Sequence, residues 1–160
     1  MTLGARAGKI VEVEAYLGYN EWGEPDLAAH SSRGVTPRTQ VIFGEPGHAY
    51  VYLIYGMYEC LNIVAEPAGK PGCVLLRALE PLSGSAAMNG PGKLTRAMEI
   101  TRALNGADVT RGPLAVYEPE SSEPFAIDVT PRIGIRQCAD WPLRFCLRGS
   151  PYLSRKVPVL

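Results

Sequence analysis

The sequence lacks an excess of charge of either sign, and lysine is scarce among its cations. Sixteen basic residues balance 16 acidic ones, so the formal net charge of the 160-residue chain is zero. This balance argues against a protein that coats nucleic acid or anionic lipid through bulk positive charge, because such binding grows with the number of phosphates neutralised. Only four of the cations are lysines, and the other 12 are arginines. Arginine makes fixed, forked contacts with phosphate and carboxylate groups, so a local anion-binding site stays open.

Metal-binding patterns are also absent from the sequence. The four cysteines form no C-x-x-C pair, and the chain has only two histidines, so we expect neither a bound metal nor metal catalysis. Cys60 and Cys73 lie within apolar runs, which favours buried, reduced thiols over disulfides.

The sequence has no segment with the character of a secretion signal or a membrane span. Residues 1–8 contain no apolar stretch of secretory length. The longest apolar run, residues 48–65, is interrupted by Glu59 and Asn62 and is rich in tyrosine. These features predict an intracellular protein, in a bacterial cytoplasm or a eukaryotic nucleus, that is not secreted and does not associate with membranes.

Three common catalytic motifs are missing as well. The sequence contains no G-x-x-x-x-G-K-[ST], no G-x-G-x-x-G and no G-x-S-x-G. Nucleotide hydrolysis, dinucleotide redox chemistry and serine hydrolysis therefore have no motif support, and we expect no cofactor.

What the sequence does contain is a series of short β-rich segments separated by glycine and proline. Residues 10–17 alternate, which places Glu12, Glu14 and Tyr16 on one face of a strand and apolar residues on the other. Residues 48–54 and 59–65 flank a turn and predict a long hairpin with an aromatic tip. Further strands are predicted at residues 73–79, 113–117, 125–129, 132–135 and 143–147.

One helix is predicted after Pro91, where apolar residues recur at helical spacing as far as Leu104 before Asn105-Gly106 ends the run. A shorter helix is predicted around residues 25–31. Together these elements predict a single α+β domain over residues 1–160. We expect a twisted antiparallel sheet or barrel-like core, a protruding hairpin and a few helices.

Glu14 is the first candidate for chemistry. A carboxylate beside Tyr16 on the polar face of a strand can activate a water if its surroundings hold it in place. The alternative is a solvated carboxylate, which alternation by itself favours because antiparallel sheets commonly expose one polar face.

A group of tyrosines and one histidine are the next candidates. Five of the eight tyrosines fall in two predicted strands: Tyr16, Tyr50, Tyr52, Tyr55 and Tyr58. Aromatic side chains concentrated in this way can stack a flat ligand such as a nucleobase, although a β core that simply uses tyrosine is the alternative. His30 could donate to a ligand atom or titrate near neutrality, and an exposed loop histidine is its alternative.

Cations stand beside small or rigid turn residues at three places. These are Thr36-Pro37-Arg38, Lys93 and Arg148-Gly149-Ser150. Such turns suit phosphate contacts from a loop. The residues alone favour scattered surface charge over a binding site.

Longer motifs in the same order resemble a known family. They are residues 10–18, 29–31, 36–38, 47–58 with Asn62, 74–81, 90–94, 131–135 and 142–151. In order and spacing they resemble the alkyladenine (3-methyladenine) DNA glycosylase family, from about Gly8 to about Ser154.

The resemblance implies a monofunctional DNA glycosylase that initiates base excision repair. Such an enzyme flips an alkylated or deaminated purine out of duplex DNA and hydrolyses its N-glycosidic bond. The implied substrates are of the 3-methyladenine, hypoxanthine and ethenoadenine class in double-stranded DNA, and the implied state is a monomer.

The resemblance also implies roles for individual residues. Glu14 corresponds to the residue that deprotonates the attacking water, and Arg77 and the backbone of Ile133 correspond to groups that help to hold that water. Three residues match the sandwich around the base: Tyr16, His30 and Tyr52. Asn62 matches the residue that crowds the 2-amino group of guanine.

The remaining correspondences concern DNA. Tyr55 matches the wedge that fills the gap left by the flipped nucleotide. Contacts with the DNA backbone are expected from Thr36, Arg38, Gly56, Met57, Lys93 and Arg148.

The beginning of the chain departs from the family pattern. Family members carry further elements before the strand that holds Glu14, whereas only residues 1–9 precede it here. We therefore expect the domain to lack N-terminal elements that are usual in the family. This departure supports a second hypothesis, that the chain is a catalytically weak or inactive DNA-binding remnant of the family.

Overall fold

The computed structural model describes residues 1–119 and 124–157. The described strands are β1 (Thr2–Leu3), β2 (Arg6–Leu17), β3 (Ala49–Ile54), β4 (Tyr58–Val64), β5 (Gly72–Pro81), β6 (Leu114–Ala115), β7 (Ile127–Thr130) and β8 (Arg144–Leu147). The helices are α1 (Pro91–Met98) and three 3-10 turns, His30–Arg33, Gln40–Phe43 and Arg102–Leu104.

All of these strands join one curled antiparallel sheet. The order is β3-β4-β5-β2-β1-β6, while β8 pairs with β2 and β7. The sheet forms a half-barrel with a single α-helix among the described residues, so the predicted α+β class is confirmed. The hairpin formed by β3 and β4, with its turn at residues 55–57, also confirms the prediction.

β2 is the strand that organises the site, because it has neighbours on both edges. It pairs with β5 along most of its length, and its middle also pairs with β8 at Glu12↔Cys146 and Glu14↔Arg144. Glu12 and Glu14 are therefore only 1% and 0% exposed. The expectation that alternation favours, a solvated polar face, is wrong for these two carboxylates.

The two faces of β3 serve different purposes. Ala49 and Val51 pack into the main hydrophobic core together with α1 and β5. Tyr50, one step along, joins a second cluster with Ile42 and Cys73, against which Tyr52 packs. Alternation along one strand thus separates the apolar core from an aromatic cluster on the opposite face.

Helical structure is shorter than the sequence predicts. α1 ends at Met98 because Glu99 adopts a left-handed conformation with φ of +57°, and the predicted continuation to Leu104 is wrong. Thr101 instead caps a separate 3-10 turn by accepting from the backbone N–H of Ala103. The helix predicted around residues 25–31 is replaced by the 3-10 turn His30–Arg33.

The other strand predictions have mixed outcomes. Segments 73–79 and 143–147 are confirmed as β5 and β8, whereas β6 and β7 cover only parts of the neighbourhoods predicted for them. The strand predicted at residues 132–135 is wrong. That segment is a loop because its groups serve other partners: Arg132 pairs with Asp26, and the backbone N–H of Ile133 donates to a side chain.

Candidate active site

Glu14 is held by three donors that come from three parts of the chain. The Ile133 backbone N–H donates to Oε1 at 2.7 Å, and the Tyr16 hydroxyl and Arg77 Nη1 donate to Oε2 at 3.0 and 3.2 Å. The structure therefore brings together the three predicted catalytic residues Glu14, Arg77 and Ile133. A carboxylate with this many fixed donors has one orientation, as a general base requires.

A cavity of about 190 Å³ lies directly in front of this carboxylate. Tyr16, Arg77 and Ile133 line it, while Glu14 itself lies one layer behind them. The volume is below the ~300–1,000 Å³ of typical sites for drug-sized ligands, so the cavity suits a single flat ring system. The predicted pocket residues His30, Tyr52 and Asn62 line it too.

A buried ionic network supports Arg77 from behind. Glu12 accepts from Arg77 Nε at 3.1 Å, from Arg144 Nε at 2.8 Å and from the Ser154 hydroxyl at 2.7 Å. Burial opposes ionisation of Glu12, but hydrogen bonds from Arg144 and Ser154 outweigh it and lower its pKa. Arg77 thus lies between the carboxyl groups of Glu12 and Glu14 and is fixed by both.

A second buried ion pair lies behind Tyr16. Arg132 donates from both terminal nitrogens to Asp26, at 2.6 and 2.9 Å, and both side chains have 0% exposure. The Arg132 guanidinium also lies 4.6 Å from the centre of the Tyr16 ring. Burial, then the charge and hydrogen bond of Glu14, raise the pKa of Tyr16, so its hydroxyl remains a donor to Glu14.

His30 and two tyrosines form an aromatic part of the cavity wall. The His30 ring meets Tyr52 edge to face at a centroid distance of 4.5 Å, and its Nδ1 lies 3.0 Å from the Tyr50 hydroxyl. Burial, reinforced by the charges of Arg38 and Arg33, lowers the pKa of His30 to about 4. The ring is therefore neutral at pH 7.

The floor of the cavity contains polar but uncharged groups. Asn62 is buried and donates to the Tyr50 carbonyl at 3.2 Å, and the Cys73 thiol lies 3.8 Å from its side-chain oxygen. Cys60 also lines the cavity. Burial raises the pKa of both thiols, that of Cys73 to about 12.

Tyr55 projects from the tip of the β3–β4 hairpin and is 81% exposed. It has φ of +53° and is followed by Gly56 at +67°, and the Met57 N–H donates to the Ile54 carbonyl at 3.1 Å. These are the φ signs of a type I′ turn, in which Tyr is unusual because its side chain crowds a left-handed backbone. Met57 is also exposed.

The residues predicted to contact the DNA backbone occupy exposed turns and one helix start. Thr36 and Arg38 lie in a turn in which the Thr36 and Thr39 side chains each accept from the other's backbone N–H, and the Arg38 guanidinium is 5.1 Å from the Tyr52 ring centre. Lys93, in the first turn of α1, donates to Asn89. Arg148 is paired with Asp128 at 2.6 Å.

A larger groove of about 600 Å³ lies elsewhere on the molecule and contains none of the predicted site residues. It runs beside the first half of β2, where Ile10, Phe125 and Phe145 give it an apolar wall. The candidate site is therefore chosen by the convergence of fixed polar groups and not by the size of the cavity.

Comparisons with known proteins identify a family for the chain. Residues 1–151 match the family model described as methylpurine-DNA glycosylase. The chain belongs to the methylpurine-DNA glycosylase family. Enzymes of this family are DNA glycosylases, so the predicted family and enzyme class are confirmed.

Individual relatives of the methylpurine-DNA glycosylase family match almost the whole chain. A protein of Methanoculleus marisnigri is 48% identical over 94% of this chain and 83% of its own length. One from Legionella pneumophila is 46% identical over 96% of this chain and 83% of its own, and one from Rhodopseudomonas palustris is 44% identical over 99% and 79%. Each is named as a candidate 3-methyladenine DNA glycosylase.

Two further findings concern only residues 1–119 and 124–157. No helix there is long and apolar enough to cross a membrane. No group of three or more His, Cys, Asp or Glu side chains there is arranged to hold a metal ion.

Four residues around the candidate site were not predicted as site residues: Glu12, Asp26, Arg132 and Arg144. Tyr50 was predicted only as a member of the tyrosine group, and it shares a face of β3 with Tyr52. Nothing in the sequence marks the ion pairs, because their partners lie 65 to 132 residues apart.

Proposed function

We propose that this protein removes alkylated or deaminated purines from duplex DNA, by flipping the damaged nucleotide and hydrolysing its N-glycosidic bond. The substrates are of the 3-methyladenine, hypoxanthine and ethenoadenine class. The product is an abasic site, from which base excision repair proceeds. Membership of the methylpurine-DNA glycosylase family supports this reaction, and the names of the relatives support 3-methyladenine as one substrate.

The fixed carboxylate of Glu14 is the observation that carries the proposal. Glu14 lies directly behind a cavity of ring size, and its three donors all line that cavity. A water entering between Arg77 and Ile133 would be within reach of Glu14, which accepts its proton as the water attacks C1′. The same negative charge stabilises the oxocarbenium-like transition state of glycosidic cleavage.

The aromatic walls supply the base site. Tyr16, Tyr52 and His30 all line the cavity, and the rings of Tyr52 and His30 meet edge to face. A purine stacks favourably on such faces. Asn62, immobilised by its bond to the Tyr50 carbonyl, is placed to crowd a purine that carries a 2-amino group.

Departure of the base needs different help for different lesions. A cationic base such as 3-methyladenine leaves without a proton donor, because its charge is neutralised as the bond breaks. For a neutral base such as hypoxanthine, neutral His30 can donate a hydrogen bond from Nε2 when the Tyr50 hydroxyl donates to Nδ1. A pKa of about 4 makes His30 a hydrogen-bond donor here and not a source of protons at pH 7.

Simple hydrolysis is favoured over a lyase reaction. A lyase forms a Schiff base through a lysine near C1′. Among the residues that the structure describes, none that lines the cavity is a lysine.

DNA engagement is assigned to the hairpin tip and the exposed cations. Tyr55 is the wedge that occupies the place of the flipped nucleotide, consistent with its exposure on a short, defined turn. Thr36, Arg38, Gly56, Met57, Lys93 and Arg148 contact the phosphate backbone. Arg148 must exchange Asp128 for a phosphate when DNA binds.

Excision from a defined duplex tests the proposal. The protein is incubated with an oligonucleotide duplex containing one hypoxanthine or ethenoadenine, and abasic product is read as strand scission in hot alkali. We expect scission at the lesion with the unmodified chain, and a loss on the order of 10³-fold in Glu14→Gln, which removes the base but keeps the side-chain volume.

Glu45→Gln is the matched control, since Glu45 is exposed and outside the site. It is expected to retain full activity. Lesion-selective binding without any abasic product from the unmodified protein would refute the proposal and support an inactive DNA-binding remnant instead.

A further inference from the structure

We propose that the buried Asp26–Arg132 pair is a positioning element of the active site. It fixes the stacking face of Tyr16 and the backbone donor of Ile133 relative to Glu14, and Asp26 cancels a positive charge that would otherwise disfavour cationic bases. This inference rests on the glycosylase function proposed above.

The Asp26 carboxylate joins three segments that surround the cavity. Its Oδ2 accepts from the Leu17 backbone N–H at 3.0 Å, and its Oδ1 accepts from the Ala28 backbone N–H at 3.1 Å. Leu17 follows Tyr16 on β2, and Ala28 lines the cavity two residues before His30. The third segment is the loop of Arg132, which donates to both oxygens.

Arg132 connects Asp26 to the Ile133 N–H and to the Tyr16 ring. Its Nη1 also donates to the Ala15 carbonyl at 3.0 Å, which ties it to β2 between Glu14 and Tyr16. The next residue in the chain is Ile133, whose N–H is the shortest contact to Glu14. Rotation or retreat of Arg132 therefore moves the Ile133 donor and the support of Tyr16 together.

The pair is costly to bury and is not required for packing alone. Both side chains have no exposure, and buried ion pairs generally add little stability compared with apolar residues of the same volume. What the forked pair provides is a single geometry, since two parallel N–H···O bonds fix the guanidinium plane. Active-site groups need this control because a misplacement of ~1 Å costs on the order of 100-fold in rate.

The charges have a separate consequence for base selectivity. Tyr16 lines the cavity whereas Arg132 does not, so the guanidinium covers the ring face turned away from the base. A cation there weakens the attraction of the ring for a cationic base on the other face. Asp26 neutralises that cation and allows cationic and neutral lesions to stack on the same ring.

Three variants distinguish the positioning role of the Asp26–Arg132 pair from its charge role. Asp26→Asn removes the negative charge, Arg132→Lys keeps both charges but loses the fork, and the double variant Asp26→Asn with Arg132→Gln is neutral like the original pair. Asp108→Asn, at an exposed ion pair with Arg111, is the matched control. Single-turnover release of hypoxanthine and of 3-methyladenine, a cationic base, is measured from duplex DNA, and thermal unfolding identifies the folded variants.

We expect Asp26→Asn and Arg132→Lys to release hypoxanthine about 10- to 100-fold more slowly than the unmodified chain, and Asp108→Asn to match it. The ratio of 3-methyladenine release to hypoxanthine release should fall about fivefold in Asp26→Asn. The ratio should be unchanged in Arg132→Lys and should return to its original value in the double variant. General loosening of the fold would slow both reactions and leave the ratio constant.

Release rates within about threefold of the unmodified chain in a folded Asp26→Asn or Arg132→Lys variant overturn the positioning role. A constant ratio in Asp26→Asn overturns the charge role. If that variant does not fold, Arg132→Gln alone is measured instead: it leaves the negative charge of Asp26 unpaired and should raise the ratio, and a constant ratio there overturns the charge role. If the unmodified chain releases neither base in a Glu14-dependent reaction, the glycosylase proposal itself fails and this inference fails with it.

Discussion

His30 shows how neighbours set the chemistry of a single side chain. The sequence predicts either a ligand donor or a group that titrates near neutrality. The structure places it against Tyr50 and Tyr52, with Arg33 and Arg38 nearby in the chain, so burial and positive charge both lower its pKa. A neutral imidazole remains, which can donate one hydrogen bond and accept another.

Two measurements check the protonation of His30. The pKa is about 6.5 in an unfolded chain and about 4 in the folded one, so between these values only the unfolded state takes up a proton at this residue. The contribution of His30 therefore makes the free energy of unfolding fall as the pH is lowered from about 6.5 towards 4. We expect urea unfolding to show a steeper decline over this range in the unmodified chain than in His30→Gln.

The imidazole resonances give the second measurement. In an NMR titration the His30 ring signals should not move between pH 7 and about pH 5.5, with their assignment made from the spectrum of His48→Gln. A midpoint near 6.5 for His30 would contradict the burial of the ring.

At this same scale, the sequence predicts which side chains are neighbours on a strand better than it predicts their environment. Alternation correctly pairs Glu14 with Tyr16, whose hydroxyl donates to it. It could not predict that Glu14 is buried, because the groups that compensate its charge, Arg77 and the Ile133 N–H, are 63 and 119 residues away. A pattern of neighbours in sequence contains no information on contacts of that range.

Among the secondary-structure elements, the β3–β4 hairpin combines a regular ladder with an unfavourable turn. Pairing runs from Ala49↔Ile63 to Ile54↔Tyr58, and Tyr55 then adopts positive φ. A left-handed conformation costs a residue with a side chain about 1–2 kcal/mol relative to its usual backbone. Strain of this kind at an exposed aromatic tip is typical of a residue retained for function.

Tyr55→Asn separates stability from function at this turn. Asn tolerates left-handed φ, and little buried surface is lost, so we expect the free energy of unfolding to rise by about 1 kcal/mol. Removal of the wedge should slow excision of a paired hypoxanthine about tenfold while leaving excision from single-stranded DNA nearly unchanged.

Tyr19→Asn is the control, since Tyr19 is also exposed but lies outside the hairpin. It should change neither rate. Equal losses on paired and unpaired substrates in Tyr55→Asn would count against the wedge.

Strands and helices are predicted well where the local sequence pattern determines them. They are predicted poorly where distant side chains take the hydrogen bonds that a strand would need. The hairpin and β5 follow alternation and turn residues, and the sequence is sufficient for both. Residues 132–135 have strand-like composition, yet they form a loop because their groups bond to two buried carboxylates. The Arg132 guanidinium donates to Asp26, and the Ile133 N–H donates to Glu14. Only the folded structure brings those carboxylates within reach.

In the molecule as a whole, acidic and basic side chains balance in the interior as they do in the full sequence. Six Asp, Glu or Arg side chains are buried among the described residues, three acids and three arginines: Glu12, Glu14, Asp26, Arg77, Arg132 and Arg144. Each is paired with at least one opposite charge. The predominance of arginine over lysine thus has an internal cause, because guanidinium forks satisfy buried carboxylates. Arg77 in particular is engaged internally and does not act as a surface cation.

The cations outside this buried network remain available to DNA, and the number that contact phosphates sets how strongly binding depends on salt. Each phosphate contact contributes about −0.9 to the slope of log K against log salt concentration for duplex DNA. We expect Lys93→Gln to reduce the magnitude of that slope for undamaged duplex by about one unit between 50 and 200 mM salt. Lys70→Gln, in an exposed loop after β4, should leave it unchanged, and an unaltered slope in Lys93→Gln would remove Lys93 from the interface.

The two thiols that line the cavity, Cys60 and Cys73, bear on how the protein withstands alkylating agents. The agents that methylate purines also attack thiolates, and the thiolate is the reactive form of cysteine. Burial raises the pKa of Cys60 and Cys73, so both keep their protons at neutral pH. The pocket is therefore expected to resist the electrophiles that create its substrates, and to remain functional in a cell while those electrophiles are still present.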